Sequence, residues 1–435
     1  MNLATLSLAY LRRNALSALL NILLLAVGIA TITVLLLFNH QMEQRMTRDA
    51  QGIDLVVGSK GSPMQLILST IFHLDTPTGN IPLEDALWVQ RHPLVSGVIP
   101  LALGDSYGGH RIIGSNHAYV RHYGGTAVEG RLWTADQEAT IGADVARRTG
   151  LGIGDTFHGV HGISDGSSAA GGDVHDEHPY RVVGVLGRTG TVLDRLILVT
   201  VESVWLVHGH DDDHDNHAAT TDDGHHAGHD HDLDNHHDDA GYADDRWQQH
   251  EGEEDRQLTA LLVRYRSPLA AVTLPRVVNS RNALQAASPA FETARLMQLM
   301  GIGMNALRAF GWVLVAAAGL GVFIALYNAL KDRRYDLALM RSLGASRGTL
   351  VLHVLLEGLL LALAGVMLGL AFGHLGAELL GQSLRQAQQL EMTGRLFIAE
   401  EIWLILLAVG VGLLAALIPA WQAYRTDIAP TLAAR

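Results

Sequence analysis

Four stretches of the chain run for about 20 residues almost without charge, the length a helix needs to cross a hydrocarbon layer about 30 Å thick. They are Leu16–Phe38, Ala309–Leu330, Leu350 to Leu375, which carries His353 and Glu357 near its start, and Ile402–Ala420. The pattern predicts a membrane protein with four transmembrane α-helices, at 16–38, 303–330, 350–376 and 399–421, and a mixed α+β domain at 39–300 inserted between the first two. Basic residues then set the orientation, because short cytoplasmic flanks collect Lys and Arg. Arg12 and Arg13 precede the first span, Lys331, Arg333, Arg334, Arg341 and Arg347 crowd the segment 331–349, and Arg425 follows the fourth span. This places both termini inside, with the lead-in 1–15, the segment 331–349 and the tail 422–435, and leaves 39–300 and a short loop at 377–398 outside. Trp312 and Trp403 fall at the outer ends of spans, and Tyr327, Trp421 and Tyr424 at the inner ends, as interfacial aromatic belts require. A cleaved signal peptide is the rival reading of the N-terminus, but the first run is too long and lacks a small-residue cleavage pattern.

Between the first two spans the period shortens. Strand-like runs such as "IDLVV", "GVIPLAL", "HRIIGS", "YRVVGVL", "RLILVTV" and "LTALLVRYR" alternate with glycine-marked turns and helix-like pieces, "LEDALWVQRH" and "LAAVTLPRVVNSRNALQAA". This reads as one external α+β domain of two subdomains, interrupted by low-complexity insertions at 162–178 and 208–255. In the third span Gly365, Gly369 and Gly373 recur every four residues, a bare stripe that favours a packing seam over the general abundance of glycine in membrane helices. Met297, Met300 and Met304, at helical spacing before the second span, read as packing rather than capture of a soft metal.

Charge changes this picture in one place. The net charge is −13, but residues 208–255 hold 17 acidic residues against Arg246 alone, so the rest of the chain is slightly basic. An acidic protein with basic partners is therefore excluded, and nothing points to nucleic acid. No cysteine is present, which excludes disulfides and thiolate chemistry.

The segment "KDRRYDLALMRSLGASRGTLVLHVLLEGLLLALAGVMLGLAFG" resembles the signature region of the FtsX/MacB-type ABC transporter permeases: a basic stretch, an A-x-x-R-x-L-G-A-S turn, and a span opening on a glutamate-glycine pair, here Glu357 and Gly358. The tail "ALIPAWQAYRTDIAPTLAAR", the N-terminal "LAYLRRNALSALLNILLLAVGIA" and the external pieces "GRLWTADQEATIGADVARRTGLGIGDTF" and "YRVVGVLGRTG" are similar to other parts of that family. The resemblance implies a homodimer of four-span permeases served by two copies of a cytoplasmic ABC ATPase. This chain has no G-x-x-x-x-G-K phosphate loop, so ATP is expected only on that separate subunit and no enzymatic activity or covalently bound cofactor on this one. Tyr335, Leu339 and Leu343 form an apolar stripe flanked by Arg333, Arg334 and Arg341. It resembles the family's coupling element, although a helix lying on the lipid surface has the same pattern. Glu357 is an intramembrane polar residue whose place in the motif implies structural pairing, and His353 on the same face makes at most a weak metal pair with it.

Eleven of the 23 histidines lie between His208 and His250. His208, His210, His214, His217, His225, His226, His229, His231, His236 and His237, interleaved with aspartate, are candidate ligands for Zn²⁺, or for Ni²⁺ or Cu²⁺. A plain solvated linker and a pH sensor are the alternatives. The expected function is that of an ABC permease linked to zinc handling, with a periplasmic metal-binding or adaptor protein as a further partner. The competing reading is a regulator of an external partner such as a cell-wall hydrolase that transports nothing, or a lipoprotein-releasing permease.

Overall fold

The computed structural model describes residues 15–161, 178–208, 246–253, 255–332, 340–342, 344–388 and 392–425. In chain order, α1 (Ala15–Ala50) is followed by β1 (Leu55–Ser59), α2 (Pro63–Thr70), β2 (Ile81–Pro82), α3 (Leu83–Gln90), β3 (Val95–Tyr107), β4 (His110–Gly114) and α4 (His117–His122). Next come β5 (Ala127–Gly130), β6 (Glu138–Ile141), α5 (Ala143–Thr149), β7 (Thr156–Phe157), β8 (Val160–His161), β9 (Tyr180–Leu186), β10 (Ile197–Val199) and α6 (Val201–His208). The series closes with β11 (Gln257–Leu258), β12 (Ala260–Tyr265), α7 (Ala270–Asn279), β13 (Leu284–Ala287), α8 (Pro289–Asp332), α9 (Arg347–Gln388) and α10 (Glu400–Tyr424). The chain divides into two compact units, Met1–Gln44 with Gln298–Arg435, and Arg45–Met297.

The first unit is helical, and α1, α8, α9 and α10 are each long and apolar enough to cross a membrane. All four outrun their apolar cores. Past Phe38, α1 continues through "NHQMEQRMTRDA", whose residues are mostly good helix formers. The region expected as an outer loop at 377–398 is helical as far as Gln388, because Ala377 and Leu384 extend an apolar face that packs on Leu37 and Met392. Trp403, Trp421 and Tyr424 stand exposed on the helix surfaces, as lipid-facing aromatics do.

The second unit is the α/β domain. Its main sheet runs β13-β1-β12-β3-β4-β10-β6-β9-β5, with β7 on β9 and β8 on β3. Instead of two separate sheets there is one long strand shared by two halves: β3 pairs with β12 over Val95–Leu101 and with β4 over Ala102–Tyr107. The β3–β4 hairpin closes on Gly108 and Gly109, both at positive φ (55° and 77°), the conformation that a two-residue hairpin turn demands. Helix α2 starts on Ser62, whose hydroxyl accepts from the Gln65 N–H, with Pro63 at its first position. One core joins the halves, from Leu55, Val57, Leu261 and Val263 to Ile141, Val182, Ile197 and Val199.

Two local expectations need correction. The run "LAAVTLPRVVNSRNALQAA" is helical only to Asn279; Leu284–Ala287 forms β13 on the open side of β1, with Val56 opposite Ala287. The Asn279 carboxamide oxygen accepts from the Ala286 N–H at 2.7 Å and fixes the reversal. Likewise "RLILVTV" yields only the short β10, after which the Thr200 hydroxyl accepts from the Ser203 N–H at 3.0 Å and starts α6.

Candidate functional site

Seams made of glycine hold the four long helices together. A Cβ built on Gly365 would lie 2.7 Å from Leu25 Cδ2, on Gly369 2.6 Å from Ile29 Cβ, and on Gly373 2.7 Å from Thr33 Cβ, so the stripe on α9 lies directly against α1. Real Cβ atoms do not come so close, and only glycine permits the approach. An adjacent face of α1 meets α8 in the same way, since a Cβ built on Gly311 would lie 2.6 Å from Ile32 Cγ1. Helices α9 and α10 cross where a Cβ built on Gly358 would lie 2.8 Å from Ala416 Cβ and one built on Gly412 2.5 Å from Ala362 Cβ. Gly412 was not singled out in the sequence, although "VGVG" in an apolar run was its signal. His353 and Glu357 are both buried in this bundle, and Met304 is buried as a packing residue.

A polar clasp closes one end of the same unit. The Gln41 side chain on α1 exchanges two hydrogen bonds with the Thr393 backbone, at 2.9 and 3.0 Å. Glu378 on α9 accepts from the Thr393 hydroxyl at 3.1 Å and the Gly394 N–H at 2.9 Å. His374 Nδ1 meets the Gly394 carbonyl at 2.6 Å, and its Nε2 meets Glu401 Oε2 on α10 at 3.2 Å. A carbonyl only accepts, so Nδ1 donates in the bond to Gly394. Gly394 is obligatory, since a Cβ there would fall 2.0 Å from the His374 carbonyl oxygen. The clasp thus ties α1, α9 and α10 through one short connection, and it is not legible in the sequence because Gln41 lies 352 positions from Thr393.

In the second unit, the end of α1 is locked into the α/β fold. The Arg48 guanidinium donates to the Gly190 carbonyl at 2.9 Å, Asp49 Oδ1 accepts from the Val192 N–H at 3.2 Å, and the Tyr123 hydroxyl donates to the Asp49 carbonyl at 2.9 Å. Nearby, Arg131 grips Glu138 in a two-pronged ion pair at 2.7 and 2.5 Å, and the backbone N–H groups of Thr134 and Ala135 donate to the same carboxylate. Burial alone raises the Glu138 pKa, but these donors outweigh it and hold the carboxyl down at about 2.

The remaining sequence-derived positions are less informative. His208 ends α6, while His210, His214, His217, His225, His226, His229, His231, His236 and His237 lie outside the described residues. Arg333, Arg334, Tyr335, Leu339 and Leu343 also lie outside them, and Arg341 sits part-buried in a helical turn at 340–342. Among the described residues no group of three or more His, Asp or Glu side chains is arranged to hold a metal ion.

Comparison with known proteins gives two family matches. Residues 18–226 match the MacB-like periplasmic core domain, and residues 308–428 match the FtsX-like permease C-terminal region. No curated protein matches the chain. Among solved structures, the periplasmic region of MacB from Actinobacillus actinomycetemcomitans is 12% identical, over 59% of this chain and 98% of that one, with a TM-score of 0.32. The extracellular domain of the noncanonic ABC-type transporter YknZ from Gram-positive bacteria is also 12% identical, over 54% of this chain and 99% of that one, with a TM-score of 0.28. Likeness at that level carries no weight for this chain. The two matched regions take in the apolar helices and most of the α/β domain inserted between the first two, and on these grounds the chain belongs to the FtsX/MacB-type ABC transporter permeases.

Proposed function

We propose that this multi-pass inner-membrane protein is the permease subunit of an ABC transporter. In this reading, ATP hydrolysis on a separate cytoplasmic subunit moves the α/β domain outside, and the ion handled is a divalent metal, zinc first. Members of the family work with a cytoplasmic ABC ATPase. The observation that carries the mechanical part is the length of α1 and α8, 36 and 44 residues. At 1.5 Å per residue these are rods of about 54 and 66 Å, against about 30 Å of hydrocarbon. Each is one continuous helix longer than the hydrocarbon layer requires, which is what a helix needs to carry a membrane movement outward. Two copies of the chain and two of the ATPase make the assembly, with both termini inside. The stripe of Tyr335, Leu339 and Leu343, flanked by Arg333, Arg334 and Arg341, presses on the ATPase. In this assembly the glycine seams make the bundle move as packed rods, because no side chain at the contacts can yield.

The metal part rests on the tract between His208 and His250, with its dense imidazole and carboxylate donors. Ordering a loop around each ion has an entropic cost, so the tract holds several exchangeable ions of modest affinity rather than one closed site. Zinc titration of the full chain in lipid nanodiscs, with and without residues 209–245, a deletion that spares the buried Trp247, tests this reading. The intact protein is expected to take up several Zn²⁺ near pH 7 and to release them as pH falls through about 6.5, where protons claim the imidazoles. The deletion is expected to lose most of that capacity while its melting temperature without metal stays the same. Equal zinc uptake by the deletion variant would return the tract to the role of a solvated linker.

A further inference from the structure

Strand β3 is covered on both sides only in its second half. From Val95 to Leu101 it pairs with β12, and β4 takes up its other side only from Ala102 onward. Among the described residues, no strand covers the edge of Ser96–Ile99 that faces away from β12. The edge is closed off at Pro100, whose carbonyl accepts from the Ser115 hydroxyl at 2.8 Å and which has no N–H to offer. Exposed strand edges invite a further strand unless something blocks them, and here Ser96 and Gly97 are both exposed. Gly97 leaves the approach open, since a Cβ built on it would meet nothing within 4 Å.

Two cavities flank this segment, sharing Ser96, Gly97 and Val98. One, of about 500 Å³, combines the apolar Ile53 and Leu262 with the cationic Arg121 and Arg264 and with His122. The other, of about 300 Å³, is lined by Gln90, Asn116, Gln248 and Arg266. Among the described residues no carboxylate lines either cavity. Arg264 Nη2 lies 3.5 Å from His122 Nδ1, and the imidazole pKa is lowered by burial first and by the Arg264 charge second, so the field here is positive. Helix α4, which supplies Arg121 and His122, forms a wall of the larger cavity. An open strand edge beside a helix, with pockets for alternate side chains, is the geometry in which an extended peptide adds to a sheet.

We propose that the Ser96–Ile99 edge of β3 receives an extended acidic polypeptide segment of an external partner protein as an added strand, its carboxylates meeting Arg121, Arg264 and Arg266. Backbone hydrogen bonds supply much of the affinity in this mode, and the arginines select for acidic sequences.

The test uses the full chain in nanodiscs and a fluorescent, acetylated hexapeptide alternating glutamate and valine. Saturable binding is expected, and it should weaken by about tenfold or more in Gly97→Leu, which fills the approach without touching the core, and in Arg264→Glu. The same peptide with alternate backbone amides N-methylated, and a lysine-valine peptide, should not bind. Absence of saturable binding, or binding that both variants leave unchanged, overturns the proposal. Binding of dodecanoate that the same variants abolish, with no binding of the peptide, assigns the cavity to an amphiphilic anion and equally overturns it.

Discussion

Glu138 shows how much one side chain can organise when its partners are mostly main chain. The segment Arg131–Glu138 leads into β6, and its turn is closed by the Arg131 ion pair and by the N–H groups of Thr134 and Ala135. Because the folded carboxyl sits at about 2 against an ordinary value of 4.5, it contributes stability that is present above about pH 4.5 and is lost as pH falls towards 2. Glu138→Gln keeps the shape and removes the charge. It is expected to lower stability near neutral pH by about 1 kcal/mol, roughly 2–4 °C in melting temperature, since Arg131 is half exposed and screened. The difference between variant and wild type should shrink as pH drops from 4.5 to 2, as thermal melts across that range would show; a difference independent of pH would mean that the charge is not what stabilises the turn. None of this was legible in "GRLWTADQEATI", where the glutamate looks like any strand residue, because a carboxylate's backbone donors carry no sequence signature.

At the level of elements the glycine stripe was legible and its partner was not. Gly365, Gly369 and Gly373 announce a face that something approaches, but only packing identifies α1, through Leu25, Ile29 and Thr33, as the helix that does so. Gly369→Leu would have to accommodate a side chain whose Cβ alone lies 2.6 Å from Ile29 Cβ, so a loss of at least about 1–3 kcal/mol of bundle stability is expected. Gly410→Leu is the matched control, since a Cβ there meets nothing within 4 Å. Melting temperatures in one detergent decide the matter: equal tolerance of the two substitutions would show that the seam is not tight. The clasp of Gln41, His374, Glu378 and Glu401 was hidden at this level, because Gln41 and Thr393 are 352 positions apart. The helices run beyond the apolar spans for a related reason: apolar runs mark where lipid is, whereas helix ends depend on propensity and on partners such as Met392.

For the whole molecule, orientation is the expectation most open to a direct check. The chain has no native cysteine, so single cysteines report cleanly. Val128→Cys, at a position 64% exposed in the α/β domain, is expected to react with a membrane-impermeant thiol reagent in intact spheroplasts, and Ser346→Cys only after lysis. Labelling of Ser346→Cys in intact spheroplasts would invert the topology. What the sequence determined by itself was the number of membrane helices, the α/β character and place of the inserted domain, and the family. These follow from hydropathy and short motifs, which act over one turn, one strand or one membrane thickness. Tertiary structure alone decided that a single strand, β3, is shared by two halves of one sheet, that "NALQAA" ends as β13 rather than helix, and that among the described residues β3 keeps an open edge beside arginines from α4 and β12. The physical reason is that a strand's conformation and edges are settled by neighbours distant in the chain, whereas a membrane helix satisfies its backbone within itself.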